Sequence, residues 1–453
     1  MSVILNRWVH DKDIQSLSGN TIFAALGFLS FVILTRSFEK EVFGEWVLYV
    51  TAAVFIEMFR FGLTKMALVR FLSGADKKEQ KKLMGSNYMI SLALTLVIAI
   101  ILITINLLFR ESIEKSGYVL FFKWYPLLAF INLPYNHALS VLQAWQRFDK
   151  ILYIKFFNIG SFVLFLALNY FFFQMGILSV LIAHLVVNLL SSVLVMAFGW
   201  DGIEYIQQST GRHRKKILNF GKYAMGTLIG SNLLKSMDTF ILGLSPFLGS
   251  AGVAMYSIPM KLTEVLAIPL TSLSATSFPR MSKASIHKQW DEIRKLFYTY
   301  SGAMTYFFML VAVPGLIFAE FFVVLLGGRD YAEMANVFRV FCIYALFLPI
   351  DRFAGVALDS INKPANNMYK VLFMNLTNIT GDIIAIFVVK IFYPNITMIQ
   401  ILMLVAMVTI LMTIIGQIIG FRYLNKELPI RYHKIFYHGW LFFCKDFKWY
   451  FIK

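Results

Sequence analysis

Apolar stretches of about 20 residues alternate with short polar breaks along nearly the whole chain. A helix rises about 1.5 Å per residue, so each stretch is long enough to cross about 30 Å of hydrocarbon. The pattern predicts spans at 16–35, 42–60, 84–109, 118–142, 151–174, 177–200, 217–244, 251–279, 296–326, 334–358, 367–391 and 396–420. The expected fold class is an all-α integral membrane protein with about 12 transmembrane helices. The outer turns are short: "SPFLGSAG" (Ser245–Gly252) is one complete turn. No loop has room for a catalytic domain.

The charges orient the spans. With both termini on the cytoplasmic side, the inner segments carry 31 Lys and Arg and the outer loops carry 6, counting residues at span ends with the loop they adjoin. Cytoplasmic loops collect Lys and Arg, and one span too many or too few would scramble this split. The expected location is therefore the cytoplasmic (inner) membrane of a cell, multi-pass, with N- and C-termini inside. Met1–Ile14 lacks the apolar core of a secretory signal.

Six spans lie on each side of the basic connector "STGRHRKK" (Ser209–Lys216). Gly44, Tyr49 and Glu57 in span 2 match Gly252, Tyr256 and Glu264 in span 8, with Tyr and Glu eight residues apart in both. A repeat of six spans is a recurrent transporter design with a midplane site. The expected organisation is an N-terminal lobe at 1–200, a cytoplasmic linker at 201–216, a C-terminal lobe at 217–420 and a basic, aromatic tail at 421–453. Two six-helix lobes would flank a central cavity.

Composition changes this picture little. Of 453 residues, 58% are hydrophobic and 15% charged, too few charges for the surface of a soluble protein of this size. The net charge of +17 suits loops beside anionic membrane lipids rather than nucleic acid. Cys342 and Cys444 form no disulfide framework and no metal-ligand spacing.

Charges inside the spans are the candidate chemistry, because each is costly in hydrocarbon. Lys235 and Asp238 share a helix face, as do Glu57 with Arg60 and Lys261 with Glu264. Asp351 and Arg352 are adjacent and point in different directions, and Asp382 stands alone in span 11. Glu57–Arg60 sits near the inner interface, where the side chains could reach out to water. The bland reading of every such pair is mutual neutralisation for helix packing. The functional reading is a watery cavity in which Lys235, Lys261 and Arg352 meet an anionic cargo such as a phosphate. Asp238 would steady Lys235, and Asn232 belongs to the same substrate-binding set. Glu264 and Asp351 are the candidate ion-coupling carboxylates. Asn20, Asn132, Asn136, Asn375 and Asn378 also fall in spans, where Asn serves helix packing as readily as sugar binding. Pro134, Pro259, Pro269, Pro314 and Pro349 interrupt spans and permit bending.

Other chemistry is absent from the sequence. There is no phosphate-binding G-x-x-x-x-G-K-[ST] loop and no H-E-x-x-H. "DKD" (Asp11–Asp13) has no nucleotide-binding fold around it, and His137 and His184 are isolated in apolar surroundings. The chain is expected not to be an enzyme and to use no cofactor and no metal.

"DTFILGLSPFLGSAGVAMYSIPMKLTEVLAIPLTSLSATSFPRMSKA" (Asp238–Ala284) resembles the eighth-span region of Wzx-type oligosaccharide flippases, in the multidrug/oligosaccharidyl-lipid/polysaccharide exporter superfamily. The likeness is carried by Asp238, Leu242-Gly243, Gly252 with Tyr256, Lys261 with Glu264, and Phe278-Pro279. "TRSFEKEVFGEWVLYV" (Thr35–Val50) is similar to the family's first outer turn. The resemblance implies alternating-access translocation of an undecaprenyl-diphosphate-linked oligosaccharide repeat unit, such as an O-antigen unit, to the outer leaflet. Membrane lipids are its surroundings, and polysaccharide polymerase machinery acts downstream. A cation-coupled multidrug exporter of the same superfamily is the alternative, and its cavity would lean acidic. Lipid II flippases usually have fourteen spans, and a polysaccharide polymerase would carry a sizeable outer loop.

Overall fold

A computed structural model describes residues 12–442 of the chain, apart from 73, 74 and 146. The regular secondary structure of the described residues is all helix, without strands. Eight helices are long and apolar enough to cross a membrane, and Ile22–Ser37 and Val119–Ile131 are shorter apolar helices. Gly211–Leu244 and Gly249–Ile286 are also long helices, and they cover spans 7 and 8. Every span expected from the hydropathy pattern lies on helix.

The chain divides into two compact units, Met1–Ile229 and Gly230–Lys453, and the division falls inside the Gly211–Leu244 helix. In the first unit, Lys12–Ser37 packs on Phe148–Leu168, and Lys77–Leu108 packs on Val119–Ile131. Span 4 is broken in two at Asn132, where Pro134 opens the next helix, Leu133–Ala144. Proline lacks the N–H that would continue the ladder, so the break releases main-chain acceptors. In the second unit, Ala335–Ser360 is the central helix. It packs against Met398–Glu427, Trp290–Ile317 and Gly249–Ile286. Its span is 61% buried, against 17–44% for the others, which marks it as the core element.

Two segments outside the expected spans are packed. After Gly202, Ile203–Gln208 forms one short helix laid on Lys77–Leu108. The fit is tight: a Cβ on Gly85 would lie 1.9 Å from the Tyr205 carbonyl oxygen. Thr210 N–H donates to Ser86 Oγ at 3.1 Å, and His213 Nε2 lies 2.7 Å from Glu79 Oε1. At the other end of the chain, helix continues to Glu427, and Tyr432–Leu441 packs on Trp290–Ile317. Gly302 and Gly439 allow this approach, since a Cβ on Gly302 would lie 2.1 Å from the Ile435 carbonyl oxygen. The tail helix is therefore part of the second unit's packing. Cys444 and the rest of 443–453 lie outside the described residues.

The docked connector buries Asp201, which is 1% exposed. Loss of water around its carboxyl pushes it up to about 6, against the pull of the main-chain N–H groups of Ile203, Asp201 and Gly202. An unfolded Asp titrates near 3.9, so in this window the folded chain holds a proton that the unfolded chain has released. Stability then falls as pH rises from about 4 to about 6, and the penalty is complete above that. Asp201→Asn is expected to raise the melting temperature at about pH 8 and to leave it nearly unchanged at about pH 4. An equal shift at both pH values would assign the effect to something other than ionisation of Asp201.

Candidate functional site

Asp238 lies on the Gly211–Leu244 helix, in the part that belongs to the second unit, and is 6% exposed. Three other helices meet it. Tyr256 Oη, from Gly249–Ile286, donates to Asp238 Oδ2 at 2.7 Å. Asn378 Nδ2, from Pro364–Ile383, donates to Asp238 Oδ1 at 2.6 Å. Thr409 Oγ1, from Met398–Glu427, donates to Asp238 Oδ2 at 3.3 Å. The same Asn378 amide donates to Asp382 Oδ2 at 3.1 Å. Asp382 is fully buried, so two carboxylates share one amide in the membrane-spanning interior of this unit.

The local sequence explains the arrangement. Asn378 and Asp382 are four residues apart and fall on one face of their helix. Gly381 admits the neighbouring helix, since a Cβ there would lie 2.4 Å from Val408 Cγ1. Directly after Asp382 the backbone widens into a π-helical turn, Ile384–Val388, a distortion found often at functional sites.

Among the described residues the cluster leaves buried acceptors without a donor: Asp382 Oδ1 and Asn378 Oδ1. Buried acceptors without donors are costly. Two carboxylates, an Asn oxygen and hydroxyl oxygens make an oxygen-rich site able to take a proton or a small monovalent cation. They do not suit a transition metal: among the described residues no group of three or more His, Cys, Asp or Glu could hold one.

The expected site residues are distributed as follows. Lys235 lies outside the described side chains, as does Asn20. Asn232 is partly buried on the helix that carries Asp238. Lys261 Nζ donates to Glu264 Oε2 at 2.9 Å, and both are partly exposed. Arg352 is exposed, with Nε donating to Ser274 Oγ at 3.3 Å. Asp351 does not rely on Arg352: its partner is Lys370 of the next helix, at 2.8 Å. Lys370, which adjoins a loop in the sequence, is only 2% exposed. Asp382, solitary in the sequence, is joined to Asp238 through Asn378. Its spacing from Asn378 was the one signal that could have marked it.

The first unit holds a second buried network. Arg60 is fully buried and does not reach out to the interface. It pairs with Glu57 and donates to Thr95 Oγ1 at 2.8 Å, Asn132 Oδ1 at 3.2 Å and the Ala129 carbonyl oxygen at 2.5 Å. The Ala129 carbonyl is available because span 4 breaks at Asn132, and Asn132 accepts through its side-chain oxygen. Tyr125 Oη adds a 2.8 Å bond to Glu57 Oε1. The paired positions of the two halves thus have different surroundings: Tyr49 lies 3.3 Å from His184 Nδ1, whereas Tyr256 holds Asp238.

The chain is similar to known proteins in sequence and in fold. A family model described as polysaccharide biosynthesis protein matches residues 12–285, and a MatE model matches residues 224–384. A Haloferax volcanii protein named probable low-salt glycan biosynthesis flippase Agl15 is 22% identical over 186 residues. That match covers 40% of this chain and 38% of the relative, well under half of each. Among solved structures, an inward-facing multidrug resistance MATE family transporter of the MOP superfamily superposes with a TM-score of 0.72 at 15% identity, covering 89% of this chain and 95% of that one. The lipid II flippase MurJ, in an inward closed conformation, superposes with a TM-score of 0.71 at 14% identity, covering 94% and 90%. The chain has the fold these transporters share.

Proposed function

This chain belongs to the polysaccharide biosynthesis protein family, and from that premise we propose that it is a lipid-linked oligosaccharide flippase driven by a cation. The observation that carries the reading is the Asp238–Asn378–Asp382 cluster, with two buried oxygens that find no donor among the described residues. Two carboxylates in an apolar interior need a positive charge, and a proton or sodium ion supplies it. Loading that ion changes the charge at a point where four helices of the second unit meet. That gives the unit two packings that an ion gradient selects, which is what alternating access requires. Glu264 and Asp351, each held by a lysine, would have to release that partner first.

The cargo proposed is an undecaprenyl-diphosphate-linked repeat unit, moved from the inner to the outer leaflet of the cytoplasmic membrane and handed to a polymerase. The family match and the glycan flippase relative support the glycan. Lys235, Lys261 and Arg352 are the proposed diphosphate contacts, and Asn232 is proposed for the same substrate-binding set. A multidrug exporter is the second reading, favoured by the MatE match over residues 224–384.

The test uses vesicles carrying the purified chain and a lipid-linked oligosaccharide, with an added glycosidase reporting outer-leaflet sugar. Sugar should become accessible faster than in protein-free vesicles, and ethidium should not be moved. Lys235→Ala should slow the reaction about ten- to a hundredfold per folded molecule, the effect of one charge-assisted hydrogen bond. Ethidium transport without oligosaccharide flipping would instead select the exporter.

A further inference from the structure

The Pro364–Ile383 and Met398–Glu427 helices pack side by side and leave an open groove of about 800 Å³. Leu372, Phe373 and Leu376 wall it on one side, and they are 50%, 50% and 62% exposed. Ile419, Arg422 and Lys426 stand on the other side. These positions recur at three- and four-residue steps, so each helix turns one face to the groove. It is not the face that carries Asn378 and Asp382, which are buried.

The groove is polar at one end only. Arg422 and Lys426 lie in the last two turns of a helix that ends at Glu427, at the boundary of its apolar span. Ile419 is about one turn deeper than Arg422 and about two turns deeper than Lys426. Glu427 is committed to Lys363, at 2.7 Å. Among the described residues no carboxylate pairs with Arg422 or Lys426. Two cations one turn apart favour a phosphate, which Arg binds through two N–H groups. An apolar face open sideways in the membrane favours hydrocarbon. One molecule satisfies both when its charge sits at one end of a long chain.

We propose that this groove binds an anionic membrane phospholipid, its phosphate between Arg422 and Lys426 and an acyl chain along Leu372, Phe373, Leu376 and Ile419. The site lies apart from the cation cluster, and its test does not depend on the cargo.

The full-length chain in detergent would be titrated with phosphatidylglycerol and with phosphatidylcholine and read by native mass spectrometry. Phosphatidylglycerol should be retained about thirtyfold more tightly, the effect of two cations beside an anionic headgroup. Arg422→Gln/Lys426→Gln should bring it to the phosphatidylcholine level, with an unchanged melting temperature. If that variant fails to fold, Arg422→Gln alone should still cost about fivefold. Equal retention of the two lipids in the natural chain overturns the proposal, as does unchanged phosphatidylglycerol binding in the variants. Displacement of phosphatidylglycerol by equimolar farnesyl diphosphate also overturns it and assigns the groove to a polyprenyl diphosphate.

Discussion

Asp382→Asn is expected to give a folded protein that no longer couples export to an ion gradient. The natural side chain is fully buried, accepts from Asn378 through Oδ2 and finds no donor for Oδ1 among the described residues. Asn has the same shape and keeps an oxygen for Asn378, but it carries no charge to attract a proton or a sodium ion. Gradient-driven flipping should fall about ten- to a hundredfold, since a charged partner is worth about 1.5–3 kcal/mol. The melting temperature should hold or rise, because one of two neighbouring buried carboxylates is removed. Thr409→Val and Tyr256→Phe each remove one donor to Asp238 and should have smaller effects. The measurement is flipping in vesicles with and without an imposed proton or sodium gradient. Full gradient dependence in Asp382→Asn would exclude this carboxylate from coupling.

The second large effect belongs to stability. Arg60→Met should destabilise the first unit by about 3–5 kcal/mol, the cost of leaving one partner of a buried ion pair behind. Glu57 would remain without its cation, and Thr95, Asn132 and the Ala129 carbonyl would each lose a donor. In thermal unfolding this is a drop of about 10 °C. Adding Glu57→Gln should recover much of it, since no uncompensated charge then remains. Arg60→Lys should fall between, because an ammonium cannot reach all these acceptors with one planar fork. A melting temperature for Arg60→Met within about 2 °C of the natural chain would show that the network does not hold the unit together.

These two networks were legible in the sequence to different degrees. Glu57 and Arg60 are three residues apart, and helical geometry alone pairs them. That Arg60 is buried depends on the break at Asn132 and on Thr95 of the facing helix, which no spacing reveals. Asp238 could be singled out because a charge in an apolar run is costly, and the resemblance of its segment pointed the same way. Its partners could not be named: Asn378 and Thr409 are 140 and 171 residues away.

The run lengths by themselves determined where the helices lie, because hydrocarbon offers the backbone no hydrogen bonds and any lipid-crossing segment must satisfy its own. Helix is local, so a one-dimensional pattern suffices. Which helices touch is not local, and hydropathy is the same on every apolar face. The tertiary structure therefore decided that Lys370 sits inside, opposite Asp351, though the sequence sets it beside a loop. It decided that the connector at Ile203–Gln208 and the Tyr432–Leu441 helix are packed, through glycines at Gly85, Gly302 and Gly439 that leave room for backbone. It also joined Asp382 to Asp238, because a shared amide between two buried acids exists only where separate helices converge.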